Sequence, residues 1–473
     1  MKIIGRKREK EYLMQCLQSK RPEFIVVYGR RRIGKTYLIK EFFNNQFSFY
    51  ATGLTDEKMK GQLRGFNASL IEYGYEDKSI PVDWFEAFSR LKKLLESDRV
   101  YREPINNKRV VFIDELPWMD TARSDFKSAL DYFWNSWASS QDDLVLITCG
   151  SATSWIISNL LTNKKGFHNR VTRRIHLAPF TLAECEQLFE LNDVVMTRKQ
   201  MIESYMFFGG VPYYLNLMDS RLSLAQNVNE MCFKQQGALN DEYYSLFYSL
   251  FDKPEKHMAI LNALAGKKEG MTRAELSKNK AIGGGSVLTK DLRELTECGF
   301  IRKFNTLTDG ESDEFYQIID PFTLFSIKFL IDKKFDSWNE YINSPGYNSW
   351  RGISFETVCI NHIDQIKAAM GISGIETREF AWRSSSEEGA QIDLIISRKD
   401  GVINLCEMKF TNDNYSLDAV EHEKILNRLA QFQKESGTKD AIHVTLICGT
   451  GYKQSKYSGI VQNVILGDDL FEG

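Results

Sequence analysis

The sequence predicts an α/β protein built on a parallel sheet, and three observations carry that expectation. The apolar run Phe24-Ile-Val-Val-Tyr28 leads into the glycine-rich stretch Gly29-Arg30-Arg31-Arg32-Ile33-Gly34-Lys35-Thr36, followed by a helical pattern from Tyr37 to Phe43. A second apolar run, Arg109-Val-Val-Phe-Ile113, ends on the acid pair Asp114-Glu115. Around both, residues 1 to about 178 alternate short apolar runs with helical stretches, as strand–helix–strand units do.

Gly29 and Gly34 let the backbone wrap tightly, so that successive N–H groups point inward at a phosphate chain. Lys35 can reach the β- and γ-phosphates, and the Thr36 hydroxyl suits Mg²⁺. Arg30, Arg31, Arg32, Ile33 and Tyr37 complete the expected nucleotide-contacting stretch. The helix dipole adds positive potential where the phosphates would lie. Asp114 would hold Mg²⁺ through water, and Glu115 would orient and polarise the water attacking the γ-phosphate. The pair implies binding and hydrolysis of a nucleoside triphosphate, ATP foremost. A phosphate-loop kinase is the competing reading, but nothing in the chain nominates its acceptor site.

The expected strands are Phe24–Tyr28, Phe47–Ala51, Val110–Ile113, Leu144–Cys149 and Arg174–Leu177, with a helix at Lys7–Gln18 set against the nucleotide base. Ser151 (or Thr148), at the end of the fourth strand, would hydrogen-bond the γ-phosphate or the attacking water. Capping a helix over Thr153–Leu161 is an equal reading of Ser151. Residues 179–250 read as helical throughout, opening on the capping-box pattern Thr181-Leu-Ala-Glu184. Gly209-Gly210-Val211-Pro212 forces a turn, with Pro212 in the first turn of the next helix. This helical piece is expected to form a lid on the nucleotide.

Residues 254–318 follow the order helix (Glu255–Ala265), short helix after Thr272, helix (Ser286–Cys298), then two strands, Gly299–Phe304 and Glu314–Ile318. That is the order of a winged helix-turn-helix. Lys290 and Arg293 could meet DNA, whereas Asp309, Glu311, Asp313 and Glu314 at the hairpin tip would repel phosphates. Contact with another part of the protein, or with another protein, is therefore favoured over direct DNA reading.

Ser344-Pro-Gly346 reads as a loop, and Gly352 opens a helix running to about Met370 that carries Glu356. Gly389-Ala-Gln-Ile-Asp393-Leu-Ile-Ile396 and Val402-Ile-Asn-Leu-Cys-Glu407-Met-Lys409-Phe410 flank an Asp-Gly turn, which makes a hairpin. Asp393 then falls opposite or beside Glu407, and period-2 alternation sets Glu407 and Lys409 on one face. Two carboxylates beside a lysine form a candidate Mg²⁺ site, with Glu356 a further ligand or outer acid. A salt-bridged edge hairpin on a solvated face is the equal alternative. Gln431, on a helix over Leu417–Lys434, adds a polar contact or is simply exposed.

Composition sets the limits. A chain of 473 residues holds two to four domains. A formal charge of −2 argues against a polyanion-coating protein. No apolar run approaches the ~20 residues of a membrane span, and the N-terminus lacks a secretory h-region. Eight scattered cysteines without a C-x-x-C pair, and six histidines, fit buried thiols in a reducing cytoplasm and give no zinc-ligand spacing.

On these motifs, residues 1–250 resemble the archaeal-type ATPase group of the STAND/AAA-like P-loop ATPases. The matching residues are Ile4-Gly-Arg6, Gly29–Thr36, Asp114-Glu115, Cys149-Gly-Ser151, Leu177-Ala-Pro-Phe180 and Gly209-Gly-Val-Pro212. The resemblance implies that the glycine–proline element sits over the nucleotide and couples its state to domain arrangement. It also implies an arginine that senses the γ-phosphate, often from a neighbouring subunit, with Arg170, Arg173 and Arg174 as candidates. Residues 320–473 resemble the PD-(D/E)xK nuclease-like domain, through Asp393, Glu407-x-Lys409 and Glu356. The whole implies an ATP-dependent switch joined to a Mg²⁺-dependent nuclease-like domain acting on DNA or RNA, a possible homo-oligomer or binder of a regulatory protein. The alternative is an ATP-gated regulator or scaffold whose last domain does not cleave.

Overall fold

The computed structural model describes residues 3–162, 169–251, 253–305, 314–342, 344–384 and 390–472. The chain divides into two units, Met1–Ala178 and Pro179–Gly473.

The first unit is built on a parallel sheet of β1 (Glu23–Tyr28), β2 (Phe49–Thr52), β3 (Arg109–Asp114), β4 (Leu144–Gly150) and β5 (Arg173–His176). Their order is β2-β3-β4-β1-β5. Both faces are covered, which is why the strands read as unbroken apolar runs. Phe24, Val26, Val111, Ile113, Leu144 and Leu146 face one layer, which includes the helices Met59–Glu72, Trp84–Leu95 and Phe126–Ser136. Ile25, Val27, Val110, Phe112, Val145 and Ile147 face the helices Lys7–Gln18 and Lys35–Phe42. β2 starts later than expected. The Phe47 ring is taken by Phe43 and Phe112, and the Ser48 hydroxyl donates to Tyr101 O while accepting from Val110 N. Because β4 lies between β1 and β3, the turns after all three open on one sheet edge.

The second unit begins with helices. Thr181 with Glu184 and Thr197 with Gln200 form capping boxes, and no strand occurs among the described residues from 179 to 250. Gly209 turns with φ 61°. A Cβ on Gly210 would overlap the Phe180 carbonyl, whose own N–H donates to Gly210 O at 2.6 Å.

Helices Glu255–Ala265, Arg273–Ser277 and Gly285–Glu297 follow, with β6 (Met271–Thr272), β7 (Ile301–Asn305) and β8 (Glu314–Ile318). These strands form an antiparallel sheet in the order β6-β8-β7, of which β6 was too short to show a period in the sequence. The hairpin tip, with Asp309, Glu311 and Asp313, lies outside the described residues.

The last part is a mixed sheet, β13-β12-β11-β10-β9. It comprises β9 (Thr377–Arg383), β10 (Gln391–Arg398), β11 (Val402–Lys409), β12 (Ala441–Cys448) and β13 (Val461–Leu466). Gly389 lies outside the described residues. Two expectations need correction. Ser344-Pro-Gly346 is not a loop but the start of a helix, Pro345–Asn361, because Ser344 caps the Tyr347 N–H and Pro345 suits the first turn. The helix expected to reach Met370 breaks at His362. There Nε2 accepts the Leu182 N–H at 2.9 Å and Nδ1 donates to Val358 O at 2.7 Å.

Candidate functional site

The loop after β1 has left-handed backbone at Gly29 (φ 141°), Arg32 (φ 70°) and Gly34 (φ 85°). A side chain at Gly29 would overlap the Leu177 carbonyl, so glycine is required there. Positive φ at Arg32 and Gly34, after the turn at Gly29, curls the backbone into a concave anion-binding nest. Arg32 in that region is local strain the sequence did not foretell. The Lys35 ammonium is buried inside the curl, donating to Gly29 O at 3.0 Å and Arg30 O at 2.9 Å. Arg30 is also buried, Arg31 is partly exposed, Ile33 packs into the core, and Tyr37 is exposed on the first turn of the helix. Arg6, itself left-handed, ties the N-terminal segment to the loop through Ile33 O (3.3 Å) and reaches Ala178 O (2.7 Å).

Across β4, the Thr36 hydroxyl donates to Asp114 Oδ1 at 3.2 Å. The same carboxylate oxygen accepts the Glu115 N–H and the Cys149 thiol. Burial, then the Asp114 charge, push the Cys149 thiol well up, so it remains a neutral donor. Two hard oxygens thus converge beside the loop, a donor set that fits Mg²⁺. Glu115 sits in a left-handed turn, φ 44°. Gly53 and Gly150 make room for that turn, since a Cβ on either would overlap the Glu115 carbonyl or the Pro117 ring. Ser151 donates both its N–H and its hydroxyl to Glu115 Oε2, each at 3.0 Å. Thr148 is buried in β4, and its hydroxyl has no hydrogen-bond partner. The Ser151 side chain thus takes a third role, holding Glu115, and does not cap the helix at Thr153–Ile156, which has no side-chain cap.

The three arginines lie elsewhere. Arg170 pairs with Asp131, Arg173 donates to Gln15 and covers the Tyr12 ring, and Arg174 donates to Leu161 O. Arg173 and Arg174 are in register with Ile25 and Val26, short of the loop end of β1. Pro212 opens the helix Pro212–Leu215 in the second unit.

In the last sheet, β10 and β11 are joined by residues 399–401, and Leu394 pairs with Cys406. Continued by one residue, that register sets Asp393 opposite Glu407. The charged groups divide into two clusters. Lys268, from the preceding helix–hairpin module, donates to Glu356 Oε1 at 2.6 Å and lies 3.3 Å from Asp393 Oδ2. Glu407 pairs with Arg428 and lies 3.7 Å from Lys409, whose ammonium donates to Glu421 Oε2 at 2.7 Å. Burial, then the Asp393 charge, raise the Glu356 carboxyl. Burial works against the Lys268 ammonium, but Asp393 and Glu356 outweigh it and raise its pKa. Glu356 is 6% exposed and its Oε2 has no hydrogen-bond partner. An unpartnered buried carboxylate oxygen on Glu356, close to the Asp393 carboxylate, fits a hard divalent cation. Lys268, Arg428 and Glu421 had no sequence signal, since nothing in their spacing ties them to the hairpin. Gln431 donates to Asn427 on its own helix.

On the helix Gly285–Glu297, Lys290 lies 3.5 Å from Glu294 and Arg293 3.8 Å from Glu297. His257 Nε2, also unforeseen, lies 3.0 Å from Glu294 and 3.9 Å from Asp291.

The family described as "ATPase domain predominantly from Archaea" matches residues 4–218. An uncharacterized protein of Methanocaldococcus jannaschii is 26% identical over 371 residues, 75% of this chain and 76% of that protein. An uncharacterized ATP-binding protein of the same organism is 44% identical over 44 residues, 9% of this chain and 75% of that protein. Among solved structures, the Walker-type ATPase of Pyrococcus abyssi overlays with a TM-score of 0.48 at 17% identity, covering 69% of this chain and 96% of that one. The ORC2 protein of Aeropyrum pernix overlays with a TM-score of 0.45 at 15% identity, covering 69% and 93%. No helix among the described residues is long and apolar enough to cross a membrane. With the loop, the acid pair and the family match in agreement, residues 4–218 form an ATPase domain of the kind found predominantly in Archaea.

Proposed function

We propose that this ATPase is a molecular switch coupled to a metal-dependent, nuclease-like module acting on nucleic acid. Its parts would be a core at residues 1–178, a helical lid at 179–250 that brings Pro212 to the nucleotide, a winged helix at 251–318 and the nuclease-like part at 319–473. The observation that carries the switch is the double hydrogen bond from Ser151 to Glu115 beside the Thr36–Asp114 pair. Loop N–H groups and Lys35 would hold the β- and γ-phosphates. Thr36 and Asp114 would hold Mg²⁺, which when bound neutralises phosphate charge. Glu115 would orient the attacking water, and Ser151, holding one of its carboxylate oxygens, would link that orientation to the γ-phosphate. The nuclease-like reading is supported by Asp393 opposite Glu407, with Glu356 drawn to Asp393 by the shared Lys268.

A second reading, an ATP-gated regulator or scaffold that does not cleave, is favoured by one observation. Glu407 and Lys409 already have ionic partners in Arg428 and Glu421. One assay separates the two. The chain is incubated with ATP, Mg²⁺ or Mn²⁺ and mixed DNA and RNA, beside Lys35→Ala, Glu115→Gln, Asp393→Ala and Lys409→Ala variants. Lys35→Ala should lose nucleotide binding. Glu115→Gln should bind ATP but hydrolyse it roughly 10²-fold or more slowly. Metal-dependent cutting lost in both Asp393→Ala and Lys409→Ala supports the nuclease; hydrolysis with no cutting at all supports the scaffold.

A further inference from the structure

The carboxylates Glu356 and Asp393 share a cation that belongs to a different part of the second unit. Lys268 lies in the turn between the helix Glu255–Ala265 and β6, and its ammonium sits between Glu356 Oε1 and Asp393 Oδ2. Its placement is built. Lys268 O accepts from the Gln317 amide at 2.9 Å, and the Gln317 carbonyl accepts from Arg302 Nε at 2.9 Å. Arg302 Nη2 in turn donates to the Asp393 backbone O at 3.2 Å. Phe304 and Phe315 of the β7–β8 hairpin pack on Ala381 of β9, and a cavity lined by Arg302, Gln317, Trp382, Gln391 and Asp393 follows this seam. Residues of β7, β8 and the turn before β6 therefore hold one cation on Asp393, a metal ligand in the nuclease-like reading, and on Glu356, its further ligand or outer acid.

We propose that the helix–hairpin module is an autoinhibitory lock, in which the Lys268 ammonium occupies the divalent-cation position between Glu356 and Asp393. This rests on the metal-dependent reading of that site. A dication and an ammonium cannot share two carboxylates at these distances without strong repulsion. Metal entry thus requires Lys268 to leave, and Lys268 is fixed to the module by Gln317 and Arg302. Docking and metal binding are alternatives, and a ligand that draws the module away opens the site. The lock also gives the module a role that does not need DNA. The cations of its longest helix, Lys290 and Arg293, lie beside acids of their own helix, while Lys268 sits on the two carboxylates and Arg302 donates to the Asp393 backbone O.

Binding of Mn²⁺ to the full-length, nucleotide-free chain tests this, read from the electron paramagnetic resonance of the free ion. Lys268 keeps 40% side-chain exposure, so Lys268→Met leaves no buried hole, and matched unfolding midpoints verify the fold. Lys268→Met should tighten Mn²⁺ binding by about tenfold or more, about 1.4 kcal/mol. Lys268→Arg should stay near wild type, and Lys268→Met/Asp393→Asn should lose the gain. If Lys268→Met binds no tighter than wild type while Asp393→Asn abolishes binding, the metal site stands and the lock is wrong. If no variant binds Mn²⁺, both the lock and the metal-dependent reading fail.

Discussion

Ser151 gives two donors to one oxygen of Glu115, so the carboxylate proposed to orient the attacking water is fixed by the residue that follows β4. Ser151 is 2% exposed, and alanine fits its place while keeping the backbone donor. Ser151→Ala should therefore lower kcat roughly tenfold with KM changed less than about twofold, since the lost bond acts on chemistry rather than on phosphate binding. Steady-state ATP turnover measures this; a rise in KM at constant kcat would instead assign Ser151 to nucleotide binding. Asp114 is the neighbouring centre, accepting from Thr36, Cys149 and the Glu115 N–H on a single oxygen. The spacing of the loop and the acid pair was legible beforehand, and so was Ser151 as a candidate at the end of the fourth strand, but not its bond to Glu115. That Cys149 serves as a neutral donor follows from burial, which no spacing reveals.

At the scale of elements, His362 explains why one expected helix became two. It is wholly buried, accepting from Leu182 N and donating to Val358 O, and burial lowers its pKa to about 4. The folded pKa lies below the unfolded value of 6.5. Above pH 6.5 the contribution is fully present. As the pH falls from 6.5 towards 4 the unfolded chain takes up a proton that the folded one refuses, so stability is lost, by roughly 3 kcal/mol in all. Denaturant unfolding between pH 7.5 and 4.5 should show that loss, and His362→Gln should flatten the slope whatever its absolute stability. An unchanged slope would mean that His362 is protonated within the fold. The hairpin of β10 and β11 was readable from its alternation and its Asp-Gly turn. The parallel pairing of β12 and β13, which needs a crossover rather than a tight turn, was not.

For the whole molecule, the ATPase domain and the mixed sheet lie largely in different units, Met1–Ala178 and Pro179–Gly473. Ligands of each should act first on their own unfolding transition. A non-hydrolysable ATP analogue with Mg²⁺, at about 100 times Kd, stabilises its unit by about 2.7 kcal/mol. For a unit of this size the midpoint should rise by roughly 5–10 °C in calorimetry. In Lys35→Ala that rise should vanish. A rise that persists there would place the nucleotide elsewhere.

The phosphate loop, the acid pair and a hairpin setting Asp393 opposite or beside Glu407 were determined by the sequence alone, because each depends on neighbours in the chain, on a strand's period of two or on a short turn; the register of the folded hairpin decided for opposite. Tertiary structure alone decided which charges meet them. Ser151 reaches Glu115 only because β4 is inserted beside β3, and Lys268 reaches Glu356 and Asp393 only because a hairpin packs on β9. Contacts between residues 36 or more positions apart leave no local pattern, since the energy that holds them lies in burial and packing rather than in spacing.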